Sequence, residues 1–162
     1  MNIAELDPRA LHFHVEDLLY EYAEVLDDGA LEGWPELFIE QGSYEIVARE
    51  NVERGLRLAL MRCESKAMMQ DRVTVLREAN FYSPRFLRHA ISNTRARLAP
   101  DGAVLAQSNF VVLQTLVDDE TRLLSTGRYL DRIVVDGDRL RFAAKRCIYD
   151  STLIPNTITY PL

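Results

Sequence analysis

From residue 88 onward the chain is a run of four strand-length segments, 88–98, 104–117, 122–135 and 139–149. Only short stretches of turn chemistry separate them: Pro100-Asp101-Gly102, Asp118-Asp119-Glu120 and Asp136-Gly137-Asp138. Strands joined so closely must run antiparallel, because a parallel return needs a crossover of about a dozen residues or more. Such a sheet has at least one apolar face and needs a partner layer to cover it.

The first half of the chain supplies that layer. Asp7 can cap a helix and Pro8 suits its first turn. Leu11, Val15, Leu18, Leu19, Tyr22 and Leu26 then recur at helical spacing, with acidic residues largely on the other side and Gly29 as a stop. A short second helix is expected next, with Leu31, Trp34, Leu37 and Phe38 as its apolar positions. Residues 43–49 and 56–63 read as a hairpin-like strand pair. Residues 65–78 read as a third helix with Met68, Met69, Val73 and Leu76 turned inward. Helices first, then a strongly curved, mainly antiparallel sheet, is an α+β arrangement of the cystatin-like or NTF2-like cone type. No internal repeat and no Pro/Gly/Ser-rich linker divides the chain, so residues 1–162 are expected to form a single domain.

A net charge of -6 argues against nucleic acid or an anionic membrane as a partner, since both favour a basic surface. The opening residues carry no basic-then-apolar leader pattern, and no run approaches the roughly 18 apolar residues of a spanning helix. The expected protein is soluble and cytoplasmic, with Cys63 and Cys147 reduced and mostly buried.

Metal chemistry finds little support. The histidines are His12, His14 and His89. His12 and His14 sit two apart on a helix, so they point about 200° apart and cannot grip one metal together. A Rieske cluster needs paired Cys and His motifs, and a mononuclear oxygenase iron needs two His and a carboxylate on one face; neither pattern is present. No G-x-S-x-G, Cys–His or phosphate-cradling glycine pattern occurs. One acid–base constellation is conceivable. Tyr20, Tyr22 and Asp27 lie on or near the long helix and His89 begins a long strand, so Tyr22, Asp27 and His89 could meet in a cone pocket and serve an isomerase or dehydratase, or bind a small ligand. The strands carry a different signal. Arg128, Asp131, Arg132, Arg141, Arg146 and Tyr149 place much fixed charge on the sheet, which fits a face packed against another subunit with Arg–carboxylate pairs setting register. The apolar tail, residues 150–162 with Ile154, Tyr160 and Leu162, is expected to join that interface rather than stand in water.

At these strands the sequence resembles the small, or beta, subunits of aromatic-ring-hydroxylating dioxygenases, from about Glu21 to Leu162. The resemblance rests on Trp34-Pro35-Glu36-Leu37-Phe38, Glu50-Asn51-Val52-Glu53-Arg54-Gly55, Asp71-Arg72-Val73 and Arg88-His89-Ala90-Ile91-Ser92-Asn93. It continues through Ser125-Thr126-Gly127-Arg128-Tyr129-Leu130-Asp131 and the stretch from Cys147 to Asn156. It implies an α3β3 assembly on a trimeric base of small subunits. The large subunit would hold the Rieske 2Fe–2S cluster and the mononuclear non-heme iron, fed by a ferredoxin or reductase, and this chain would hold no cofactor. Residues 77–82 and the closing Tyr-Pro-Leu are most similar to small subunits of terephthalate, anthranilate and salicylate oxygenases, which implies a carboxylated aromatic substrate.

Overall fold

The computed structural model describes residues 3, 6–78, 85–151 and 158–162. Helix α1 (Pro8–Asp27) begins where Asp7 accepts hydrogen bonds from the backbone N–H groups of Arg9 and Ala10 at 2.8 and 3.0 Å. Its buried stripe contains every apolar position expected from the spacing, Leu11, Val15, Leu18, Leu19, Tyr22 and Leu26. The expected second helix is instead two single 3-10 turns, Leu31–Gly33 and Pro35–Leu37. Phe38 is not helical; it starts strand β1 (Phe38–Ala48). Pro35 explains the break, because it has no N–H to continue a helix begun at Leu31. A one-turn helix α2 (Arg49–Glu53), strand β2 (Ala59–Cys63) and helix α3 (Lys66–Glu78) follow. In α3 the inward residues are Met69, Val73 and Leu76; Met68 faces out, 43% exposed, one step off the stripe.

The four long strands are β3 (Arg85–Leu98), β4 (Val104–Leu116), β5 (Arg122–Asp136) and β6 (Arg139–Tyr149). They join β1 and β2 in one six-stranded sheet of order β2-β1-β6-β5-β4-β3. All neighbours are antiparallel except β1 and β6, which run parallel with Tyr44 opposite Lys145 and Ala48 opposite Tyr149. Irregularities in register interrupt every ladder, and such bulges bend strands and increase twist. Two glycines mark where the bending is tightest. A Cβ at Gly127, mid-β5, would lie 2.0 Å from the carbonyl oxygen of Ile148 on β6. One at Gly42, inside the β1 irregularity, would lie 2.8 Å from the carbonyl oxygen of Ile39.

Helices α1 and α3 share one core with one face of this sheet, through Leu19, Tyr22, Trp34, Phe38, Tyr44, Met69, Phe110, Tyr129 and Phe142 among others. The expected α+β cone is therefore present, with α1 and α3 on one side. On the opposite face only the one-turn helix α2 stands, bordering a depression it shares with Val111, Arg128 and Leu130, and no described helix of greater length lies there.

Candidate functional site

The interior of the cone holds more polar chemistry than a scaffold core requires. The His89 side chain is fully buried, and its Nδ1 lies 2.6 Å from Asp27 Oδ1 at the end of α1. The backbone N–H of His89 also donates to both Asp27 oxygens, at 3.1 and 3.0 Å. Asp27 thus staples the end of α1 to β3. The Tyr22 ring meets His89 edge-on with centroids 6.4 Å apart. The structure therefore brings Tyr22, Asp27 and His89 together, while Tyr20 points outward, 52% exposed. His89 Nε2, Tyr129 Oη and Ser108 Oγ are buried without hydrogen-bond partners. Surface depressions of about 740, 660 and 530 Å³ are lined by other residues, the first of these depressions by Asp131 and Lys145 among them.

Two further interior groups escaped sequence reasoning. The first is Lys145, whose ammonium sits 3.3 Å from both Asp131 oxygens with both side chains fully buried. Aromatic rings enclose it: Tyr129 at 3.7 Å, Tyr22 at 4.3 Å and Phe142 at 4.8 Å from their centroids. Burial pushes the Asp131 carboxyl up, and the Lys145 charge pulls it back down. Asp131 was expected at a subunit-facing surface. It lies inside because period-2 alternation puts it on the same face as Tyr129 and Ile133, not with Arg128 and Arg132.

The second group gathers around Leu162. Tyr22 Oη donates to the Leu162 carbonyl oxygen at 2.5 Å, and Tyr44 Oη accepts the Leu162 N–H at 2.8 Å. The Cys147 thiol donates to the same carbonyl oxygen at 3.3 Å. Burial raises the Tyr22 and Tyr44 hydroxyls well above their ordinary range and pushes the Cys147 thiol up to about 12, so all three stay protonated donors. Leu162 is 1% exposed, and Tyr149 and Ile158 are buried too. Leu162 and Tyr149, expected at an interface, are members of this chain's own buried core. Tyr160 packs on the margin of that core beneath the Arg85 guanidinium. Ile154 lies outside the described residues. Tyr44 could have been read from the sequence as an inward position of an alternating strand; its partner, 118 positions away, could not.

The outer face of the sheet holds the rest of the expected interface. Arg128, Leu130 and Arg132 alternate outward on β5, and the β6 neighbours opposite them are Ile148, Arg146 and Ala144. Arg132 pairs with Asp101 and Arg146 with Glu45, the latter at 2.6 Å. Arg141 stands apart, spent on the Glu36 carbonyl oxygen at 2.6 Å and on Asp136 at 3.0 Å. A depression of about 740 Å³ runs across this face, lined by Arg95, Arg97, Leu105, Leu130, Arg132 and Arg146. Val111, Leu113 and Leu130 are exposed.

Among the described residues no three His, Cys, Asp or Glu side chains form a group that could hold a metal ion. None of the described helices is long and apolar enough to cross a membrane. The donor set does not fit a Rieske cluster or an oxygenase iron. His12 is paired with Glu16 on α1, His14 lies against Phe13, and His89 is engaged by Asp27.

Comparison with known proteins agrees with this geometry. The sequence model of the family described as ring hydroxylating beta subunit matches residues 21–156. The anthranilate 1,2-dioxygenase small subunit of Burkholderia cepacia is 37% identical over 93% of this chain and 93% of its own length. A beta subunit of the terminal oxygenase component of terephthalate 1,2-dioxygenase from a Comamonas species is 29% identical over 87% of this chain and 92% of its own. The crystal structure of a beta subunit assigned to an aromatic-ring-hydroxylating dioxygenase of Novosphingobium aromaticivorans DSM 12444 superposes with a TM-score of 0.86. That chain is 38% identical, and the match covers 95% of this chain and 98% of it.

Proposed function

This chain belongs to the ring-hydroxylating beta subunit family, and from that membership we propose a non-catalytic role for it as the structural base of an oxygenase whose chemistry resides in a larger partner. It is the small subunit of an aromatic-ring-hydroxylating dioxygenase, an oxidoreductase complex. In the proposed arrangement three copies form the base of an α3β3 assembly. The Rieske cluster and mononuclear iron belong to the large subunit, which a ferredoxin or reductase supplies with electrons. The substrate class is a carboxylated aromatic, the class to which the anthranilate and terephthalate of the relatives' names belong.

The observation that carries this reading is the uncovered sheet face. An antiparallel sheet can leave one face in water, but then it is normally polar. Here Leu130 stands exposed among Arg95, Arg97, Arg132 and Arg146, Val111 beside Arg128, and Leu113 opposite Arg88. Apolar residues ringed by arginines suit a protein interface, where Arg is enriched and carboxylate partners fix register. Of the expected interface residues, Arg128, Arg132 and Arg146 lie in one patch on this face and are proposed to contact other subunits.

The interior cluster supports a second reading, a stand-alone acid–base enzyme or ligand binder, since Asp27 orients His89 at 2.6 Å and leaves Nε2 free. Its weakness is access, for the imidazole is fully buried. Co-expression with a Rieske-type large subunit from the same genome separates the two. The expected result is one brown complex containing both chains, which Arg128→Glu with Leu130→Glu disrupts while leaving the circular dichroism of the small subunit unchanged. Separate elution of the two wild-type chains would overturn the proposal.

A further inference from the structure

Segment 158–162 is held in an unusual way for a piece of chain beside a sheet. It adds no strand to the ladder. Its main-chain atoms are instead read by side chains from separate elements. Tyr22 of α1 and Cys147 of β6 donate to the Leu162 carbonyl oxygen, and Tyr44 of β1 takes the Leu162 N–H. Arg72 of α3 donates to the Thr159 carbonyl oxygen at 2.9 Å, and the Arg85 guanidinium of β3 lies 5.5 Å over the Tyr160 ring. The Leu162 side chain is enclosed, 1% exposed. Convergent side-chain donors around an enclosed apolar group are the features of a ligand site.

We infer that the interior of the cone is a binding socket for a peptide unit bearing a branched aliphatic side chain, and that segment 158–162 occupies it as a tethered ligand. The chemistry selects the occupant. Without a main-chain carbonyl and N–H at this position, Tyr22, Tyr44 and Cys147 would keep only the longer bonds among themselves, Tyr22 Oη to Tyr44 Oη at 3.3 Å and Cys147 Sγ to Tyr44 Oη at 3.4 Å, and an apolar occupant could not replace the bonds lost. The Leu162 side chain lies within the aromatic-rich apolar core, so the position suits an aliphatic side chain. The socket shares a wall with the acid–base cluster: Tyr22 meets Leu162 through its hydroxyl and His89 through its ring.

Cys147 reports occupancy, because its sulfur touches the occupant directly at 3.3 Å. In the full-length chain, Leu162→Asp should expel the segment. The alkylation rate of Cys147 should then rise at least tenfold, with Cys63 as internal reference in mass-spectrometric peptide mapping. Adding the free peptide Ile-Thr-Tyr-Pro-Leu at millimolar concentration should restore protection, and a scrambled peptide should not. Should Leu162→Asp fail to fold, the full-length double variant Tyr22→Phe, Tyr44→Phe decides. It should raise the Cys147 rate several-fold with circular dichroism unchanged, and the same peptide should bind it more weakly than it binds a folded variant retaining both hydroxyls. Cys147 remaining as unreactive as in the wild type, or exposed without protection by the matching peptide, overturns the socket.

Discussion

Lys145 and Asp131 form a fully buried ion pair on which stability depends. An ion taken out of water is tolerated only while its partner is present. Asp131→Asn leaves an ammonium among three rings with no counter-charge, so the variant should lose about 3–5 kcal/mol in urea unfolding. The double change Asp131→Leu, Lys145→Met removes both ions and should recover most of that loss. If the single variant is as stable as the wild type, the pair is not ionised in the folded chain. This pair was illegible in the sequence for a physical reason: charged residues usually lie outside, and only their shared place on the Tyr129 face puts these two within. His89 was more legible. Asp27 and His89 could be named from the sequence as candidates to meet, but β3 begins at Arg85 rather than beside His89, and the sealing of the imidazole depends on packing that no local pattern encodes.

Periodicity carried most of the elements. The α1 stripe, its Asp7 cap and the four long strands could all be read from spacing and turn residues, because each is a local repeat. The start of β1 could not, since Phe38-Ile39-Glu40-Gln41-Gly42 does not alternate and Gly42 sits at an irregularity. Met68 and Met69 illustrate the limit within a helix: adjacent equal residues, only one of which can face the core. Gly127 lay in a recognisable motif, and the structure shows what the motif needs there. With the Ile148 carbonyl oxygen 2.0 Å from any Cβ, β5 and β6 must separate to admit a side chain. Gly127→Ala should therefore cost about 3 kcal/mol, at the upper end of ordinary substitutions, while Gly137→Asn in the turn should cost far less. Equal denaturation midpoints for the two variants would contradict this account of the bend.

At the scale of the whole molecule, the sheet is open on one face and closed by the chain itself on the other. The open face is where assembly is proposed, and the closed one is where segment 158–162 completes the core. One feature of this layout bears on how the protein comes into being. The parallel β1–β6 seam joins residues about a hundred positions apart, and such non-local pairing is slow to form. During synthesis β1 and β2 leave the ribosome with a bare edge, which must wait until β6, about a hundred residues further on, is made and can cover it. An unpaired edge is the part of a nascent chain most prone to aggregate. A chain halted at residue 136 should therefore remain unfolded and be captured by chaperones, whereas one extended past residue 149 on an added linker should begin to resist protease on the ribosome. The order of translation thus makes the last strand synthesised the one that seats the first, and codon-level pausing between residues 64 and 139 would lengthen the vulnerable interval.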